Sequence, residues 1–115
     1  MKVSCTLKKN SDFRRLYSKG KSAVTPYMVL YCRRSGTKQS RVGYTVSVKL
    51  GHAVVRNRVR RRLREIYRLN LPSLKPGWDM VIVARGRCVG APYAKLNAAF
   101  LSACGKLSLL REESK

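Results

Sequence analysis

The sequence predicts an α+β fold, a small α/β sandwich in the order α-β-β-α-β-α with its helices packed on one sheet, and three observations carry that expectation. Apolar residues recur at helical spacing in three stretches. Three other stretches read as strands, by alternation or by a continuous apolar run. Glycine, proline and short polar turns separate the six. At 115 residues the chain has room for one domain with a real core and not for two ordinary ones, so residues 1–115 are read as a single domain.

Ser11 is placed to cap the first helix, in which Phe13, Leu16 and Tyr17 fall at i, i+3 and i+4, and Gly20 closes it. Its polar face carries Arg14 and Arg15. Tyr27 to Cys32 reads as a strand by its β-branched and aromatic content, with Tyr27, Val29 and Tyr31 on one face and Met28, Leu30 and Cys32 on the other. Both faces are apolar, which leaves one free to be exposed for use. The polar turn 35–40 leads into a second strand, Arg41 to Val48, where Val42, Tyr44, Val46 and Val48 alternate with Arg41, Gly43, Thr45 and Ser47. After Gly51 the period becomes helical, and Val55, Val59, Leu63 and Ile66 form a stripe that Asn70 and Pro72 end. Pro76 and Gly77 give a further break, Asp79 to Ala84 a buried strand, and Gly86 and Gly90 frame a loop. Pro92 opens a last helix with the stripe Tyr93, Leu96, Phe100, Ala103 and Leu107. From about residue 111 to 115 no periodicity is left, and a frayed tail is expected. The helices are expected to cover one face of the sheet and leave the other available.

The formal net charge is +21, from 26 Lys and Arg against Asp12, Glu65, Asp79, Glu112 and Glu113, while 44% of the residues are hydrophobic. That balance describes a folded core inside a basic shell, not a disordered tail. Self-repulsion at this charge destabilises the compact state, and a polyanion that neutralised it would bind and stabilise at once, which points to nucleic acid. No run approaches the roughly 20 apolar residues of a spanning helix, and no signal-peptide stretch opens the chain, so no membrane partner and a cytoplasmic location are expected. Cys5, Cys32, Cys88 and Cys104 form no C-x-x-C pair and have no nearby histidines. Buried thiols are expected there, and no metal site.

The densest charge lies on the central helix. At about 100° per residue, Val55, Val59, Leu63 and Ile66 share one arc, and Asn57, Arg60, Arg61, Arg64 and Arg68 fall opposite it. With Arg56, Arg58 and Arg62, seven arginines stand on one element anchored to the core by its apolar stripe. Arginine at every one of these places favours forked contact with phosphate oxygens and stacking on bases. Glu65 alone offsets them, and the like-charged i, i+4 pairs each cost a few tenths of a kcal/mol, which a merely solvated face has no use for. No helix-turn-helix pair, zinc finger or heptad dimer would set this helix in a DNA groove, so structured RNA is the better partner. Phe13, Tyr17, Tyr27 and Tyr31, with Arg14, Arg15 and Lys19 close by in sequence, offer rings for unpaired bases, the alternative for each being core packing. Nuclease chemistry by the protein itself would need a carboxylate cluster or paired acid and base groups. Five scattered acids and the single His52 supply neither, and His52 reads as structural or phosphate-contacting.

The run from Arg41 to Glu65, with Lys49-Leu-Gly-His-Ala-Val-Val-Arg56-Asn57-Arg58 at its centre, closely resembles the signature of the bacterial ribonuclease P protein subunit. Leu7-Lys-Lys-Asn-Ser-Asp-Phe13, Met28-Val-Leu-Tyr31 and Asp79-Met-Val-Ile-Val-Ala-Arg85 resemble that family in the same order. Two positions depart from it: the family commonly has lysine where Val48 stands and asparagine where His52 stands. The resemblance implies a basic protein cofactor for a catalytic RNA, the two together removing the 5′ leader from precursor transfer RNA by metal-assisted hydrolysis. The RNA then carries the chemistry, no small-molecule cofactor is held by the protein, and Mg2+ belongs to the holoenzyme. It also implies a left-handed crossover at the basic helix, against the strong right-handed norm. Lys49, Arg56, Asn57, Arg58, Arg60, Arg61, Arg62, Arg64 and Arg68 would face the catalytic RNA. A cleft carrying Phe13, Arg14, Tyr17 and Tyr31 would receive the leader of the precursor transfer RNA. Charge, size and fold class would equally suit a ribosomal or ribosome-assembly protein, the alternative from composition alone.

Overall fold

The computed structural model describes residues 5–7 and 10–111, and of Cys5 and Thr6 the backbone alone. Along the chain come β1 (Cys5–Thr6), α1 (Asn10–Lys19), β2 (Lys21–Val24), β3 (Met28–Arg34), β4 (Arg41–Thr45), α2 (Ala53–Asn70), β5 (Trp78–Ala84) and α3 (Tyr93–Lys106). The expected order α-β-β-α-β-α is present in α1, β3, β4, α2, β5 and α3. Two short strands extend the sheet at its edges, giving the order β1-β4-β5-β3-β2. β2 carries no readable period because only Ala23 of its four residues is buried. β4 and β5 are parallel neighbours and α2 is the crossover between them, whereas β3 runs antiparallel to both β5 and β2.

Several boundaries differ from the sequence expectation for local reasons. α1 begins at Asn10, which places Ser11 in its first turn instead of at the cap. Gly20 closes the helix as expected, its N–H donating to the Leu16 carbonyl at 2.9 Å. β4 stops at Thr45, and the chain turns through a short 3-10 segment, Val48–Leu50, started by the Ser47 hydroxyl accepting from the Lys49 N–H. Alternation therefore overreached at Val48, which is 72% exposed. Gly51 then takes φ 148°, ψ −171°, a conformation open essentially to glycine alone, and redirects the chain into α2. At the far end, where the frayed tail is expected to begin, Arg111 donates its N–H to the Ser73 carbonyl and its Nε to the Leu74 carbonyl. The rest of that tail, 112–115, lies outside the described residues.

The main core fills the space between one sheet face and the pair α2 and α3. Met28, Leu30, Met80 and Ile82 meet Leu63, Ile66 and Tyr67 of α2 and Leu96, Phe100 and Ala103 of α3. Tyr67 lies outside the stripe read from sequence and is nonetheless 3% exposed. Cys32, Cys88 and Cys104 are free, buried thiols of this core, as expected, while the side chain of Cys5 is outside the description. Burial raises all three, Cys104 to about 12.

The expectation that the helices share one face holds for α2 and α3 and fails for α1. α1 lies across the opposite face, where Leu16 packs with Leu7 and Val81, and Phe13, Tyr31 and Val83 stand at the margin. β3 has apolar residues on both sides, so each face requires a cover. Cross-strand register arranges the α1 face in three rows: Val24, Val29, Val83, Thr45; then Ser22, Tyr31, Val81, Gly43; then Arg33, Asp79, Arg41. α1 sits over the second and third rows. The first is left partly open, with Val24 56% exposed and Val29, Val83 and Thr45 half-buried.

Candidate nucleic-acid interface

The arginines of α2 divide into three groups that helical phasing could not separate. Arg58, Arg61 and Arg64 are exposed and make no hydrogen bond or ion pair among the described residues. Arg56, Arg60 and Arg68 stay at the surface but are oriented by neighbours: Arg56 Nε donates to the Gly51 carbonyl at 3.1 Å, Arg60 to the Asn57 Oδ1 at 3.3 Å, and Arg68 pairs with Glu65 at 2.8 Å. Arg62 is different. Its Nη1 donates to the Ala91 carbonyl at 2.6 Å, pinning α2 to the segment that leads into α3. Its first role is to hold the fold, and only its remaining donors are left for phosphate.

At the helix start, His52 occupies the cap position without a side-chain capping bond. The first-turn N–H groups and the positive end of the helix dipole are therefore open to an anion, beside exposed Lys49, Asn57 and Arg58. Residues 46–52 connect this helix end directly to the end of β4 where Thr45 closes the open row.

On the other face, the predicted cleft residues do come together. Tyr17 and Tyr31 stack edge to face with ring centroids 5.0 Å apart, and Phe13 lies 6.5 Å from Tyr17. Phe13 is seated directly on β4: a Cβ at Gly43 would fall 2.6 Å from its Cζ, so the ring needs glycine beneath it. It is half-buried and contributes packing as well as an edge. Tyr17 is 41% exposed, and its hydroxyl lies 2.7 Å from the Thr45 Oγ1, an either-way hydrogen bond that ties α1 to the open row. Arg14, Arg15 and Lys19 are exposed on α1. Tyr27 stands apart from this group, packed at the edge of the main core.

Sequence reasoning missed what holds α1 in place. Arg41 donates from Nε and Nη2 to the two oxygens of Asp79, at 2.9 and 2.6 Å, and its Nη1 is 3.6 Å from Asp12 on α1. Arg15 approaches the same carboxylate at 3.9 Å. Both aspartates are nearly buried, so this forked pair fastens α1 to β4 and β5. The alternation of β4 did put Arg41, Gly43 and Thr45 on one side; that this side faces α1 depended on strand order. The same geometry accounts for the acids among the described residues. Asp12 and Asp79 are bound by Arg41, Glu65 by Arg68, and among the described residues no three His, Cys, Asp or Glu side chains converge to hold a metal. Nor is any helix there long and apolar enough to cross a membrane.

A basic helix with an open N-terminus thus lies at one end of a sheet whose opposite face carries an aromatic cleft, all on one rigid frame. Comparison with known proteins agrees in sequence and in shape. The family model described as Ribonuclease P matches residues 1–108. The ribonuclease P protein component of Alkaliphilus oremlandii is 43% identical over 110 residues, covering 96% of each chain. That of Natranaerobius thermophilus is 42% identical over 107 residues, covering 93% of each. Among solved structures, the RNase P protein of Staphylococcus aureus superposes with a TM-score of 0.84 at 26% identity, over 95% of this chain and all of that one. The RNase P protein of Thermotoga maritima does so at 0.79 and 29% identity, over 95% and 98%.

Proposed function

Since this chain belongs to the ribonuclease P protein family, we propose that it is the protein subunit of an endoribonuclease that removes the 5′ leader of precursor transfer RNA, with the catalytic RNA doing the chemistry. In this reading α2 holds the catalytic RNA. Arg58, Arg61 and Arg64 take phosphates, Arg56, Arg60 and Arg68 do so from oriented positions, and Lys49, His52 and Asn57 border the open helix start. The cleft of Phe13, Tyr17 and Tyr31, with Arg14 at its rim, takes the single-stranded leader, bases on the rings and phosphates on the cations.

The observation that carries the division of labour is the state of the acids. Asp12, Asp79 and Glu65 are each bound by arginine, which suits positioning and not proton transfer or metal binding. Among the described residues no three His, Cys, Asp or Glu side chains converge where a magnesium ion could sit. Magnesium belongs with RNA phosphates, and the protein contributes by neutralising charge and fixing the leader, so its effect is largest where magnesium is scarce. A cytoplasmic location suits these partners.

The test is reconstitution. Chain added to its cognate catalytic RNA at low magnesium should raise 5′ processing of precursor transfer RNA, with no leader removal by protein alone. Absence of stimulation, with binding to ribosomes intact, would replace this reading with a ribosome-assembly role.

A further inference from the structure

We propose that the groove between the β2–β3 turn and α3 receives the distal part of the single-stranded leader after it leaves the aromatic cleft, an inference that rests on the function proposed above. This groove of about 360 Å³ is formed by Val24, Pro26 and Tyr27 on one side and by Lys95, Ser102 and Lys106 of α3 on the other. It lies outside the cleft, behind the edge of the sheet.

Two features identify the occupant as a single strand of RNA. The first is charge. Neither the groove lining nor α3 contains an acid, Lys95 and Lys106 are exposed, and Arg85 enters the same turn by donating from Nη1 to the Thr25 carbonyl at 3.0 Å. The lysines are eleven residues apart on α3, about 16 Å along a helix axis. One phosphate cannot bridge them, but an extended strand running along α3 meets both. Between them the half-buried Tyr27 and apolar Val24 and Pro26 offer a surface on which bases rest.

The second feature is continuity. The open row of the sheet runs Thr45, Val83, Val29, Val24 in register across four strands, about 14 Å at the usual strand spacing. Its Thr45 end is bonded to Tyr17 and leads through residues 46–52 into the basic helix, the side given to the catalytic RNA. Its other end is Val24, which also lines the groove. A leader entering beside Tyr17 and crossing the row reaches Val24 farthest from α2, and from there the next cations are those of α3. Val24 belongs to both surfaces, so the two form one path.

The experiment uses holoenzyme reconstituted from the full chain and two precursors that differ only in leader length, about four and about twelve nucleotides, within the range over which single-strand sites extend. For Lys95→Gln/Lys106→Gln, the slope of log K against log salt should fall by about 1.4 units with the long leader, at roughly 0.7 per single-strand phosphate. It should not change with the short one, which also certifies the fold. A photoreactive uridine near the 5′ end of the long leader should crosslink within Tyr93–Lys106. Equal losses for both leaders would mean that α3 meets the catalytic RNA, and an unchanged slope would mean that it meets no RNA; either overturns the inference. Failure of wild-type protein to stimulate processing would instead overturn the function beneath it.

Discussion

Against α2 and α3 the sheet presents Met28, Leu30, Met80 and Ile82, none more than 2% exposed, whereas against α1 it presents Tyr31, Gly43 and an Arg–Asp row, with its first row partly open. The first contact is apolar and non-directional, held by packed area. The second is held by a forked ion pair, a hydroxyl bond and a ring seated on a glycine, all of which fix position more than they add burial. One face makes the domain stable and the other makes a shaped, wettable surface on it. Substitutions on the first face should therefore act through stability alone, and those on the second on leader binding beyond stability.

The largest effect is expected where the faces differ most. Phe100 is wholly buried between α3 and the sheet, and Phe100→Ala should lose about 3–5 kcal/mol in urea unfolding. Binding should then fall only with the folded fraction. A loss below 1 kcal/mol would show that this face is not the stabilising one.

On the α1 side, Arg41→Met should cost about 3 kcal/mol, because Asp79 is left buried without its partner. Affinity for leader-bearing precursor should drop further than folding explains, as α1 is no longer fixed over the sheet. Arg41→Lys, keeping charge but not the fork, should restore part of both. If the leader effect merely tracks stability across the two variants, α1 is positioned by packing alone.

Tyr17→Ala removes an exposed ring and should cost about 1–3 kcal/mol in affinity for precursor and almost nothing for mature transfer RNA. Phe13→Ala should lose stability as well, since its ring packs on β4. Equal weakening of both substrates by Tyr17→Ala would remove the leader from this cleft.

Within α2 the comparison becomes one between neighbouring arginines. Arg61→Ala and Arg64→Ala should each lower the salt slope of RNA binding by about one unit or less without changing stability. Arg62→Ala should reduce stability by about 1 kcal/mol through the lost Ala91 bond, with less effect on the slope. The reverse pattern would exchange their roles.

A last effect is confined to alkaline pH. Burial pushes the Cys104 thiol up to about 12 from its ordinary 9.0, so its contribution is complete below pH 9 and is lost as pH rises toward 12. Cys104→Ala should flatten the alkaline fall of the unfolding midpoint. An unaltered fall assigns it to other groups.

Much of this was legible in the residues themselves. The phase of Val55, Val59, Leu63 and Ile66 separated the anchor of α2 from its charged face, because a helix repeats every 3.6 residues whatever surrounds it. Alternation placed Arg41, Gly43 and Thr45 together for the same local reason, and Arg56-Asn57-Arg58 in its setting resembled one family. Periodicity reports which side of an element is apolar, however, and not what lies against that side. The bond between Arg41 and Asp79 spans 38 positions and depends on β4 and β5 pairing in parallel at one register. Arg62 and Arg61 are adjacent in a run of like residues, and only the position of Ala91, 29 residues on, makes one structural and leaves the other open. The sequence by itself determined the six main elements, their apolar stripes and the family. Strand order and register, set by long-range pairing that no local pattern encodes, decided that α1 lies alone on its face and leaves one row of the sheet open.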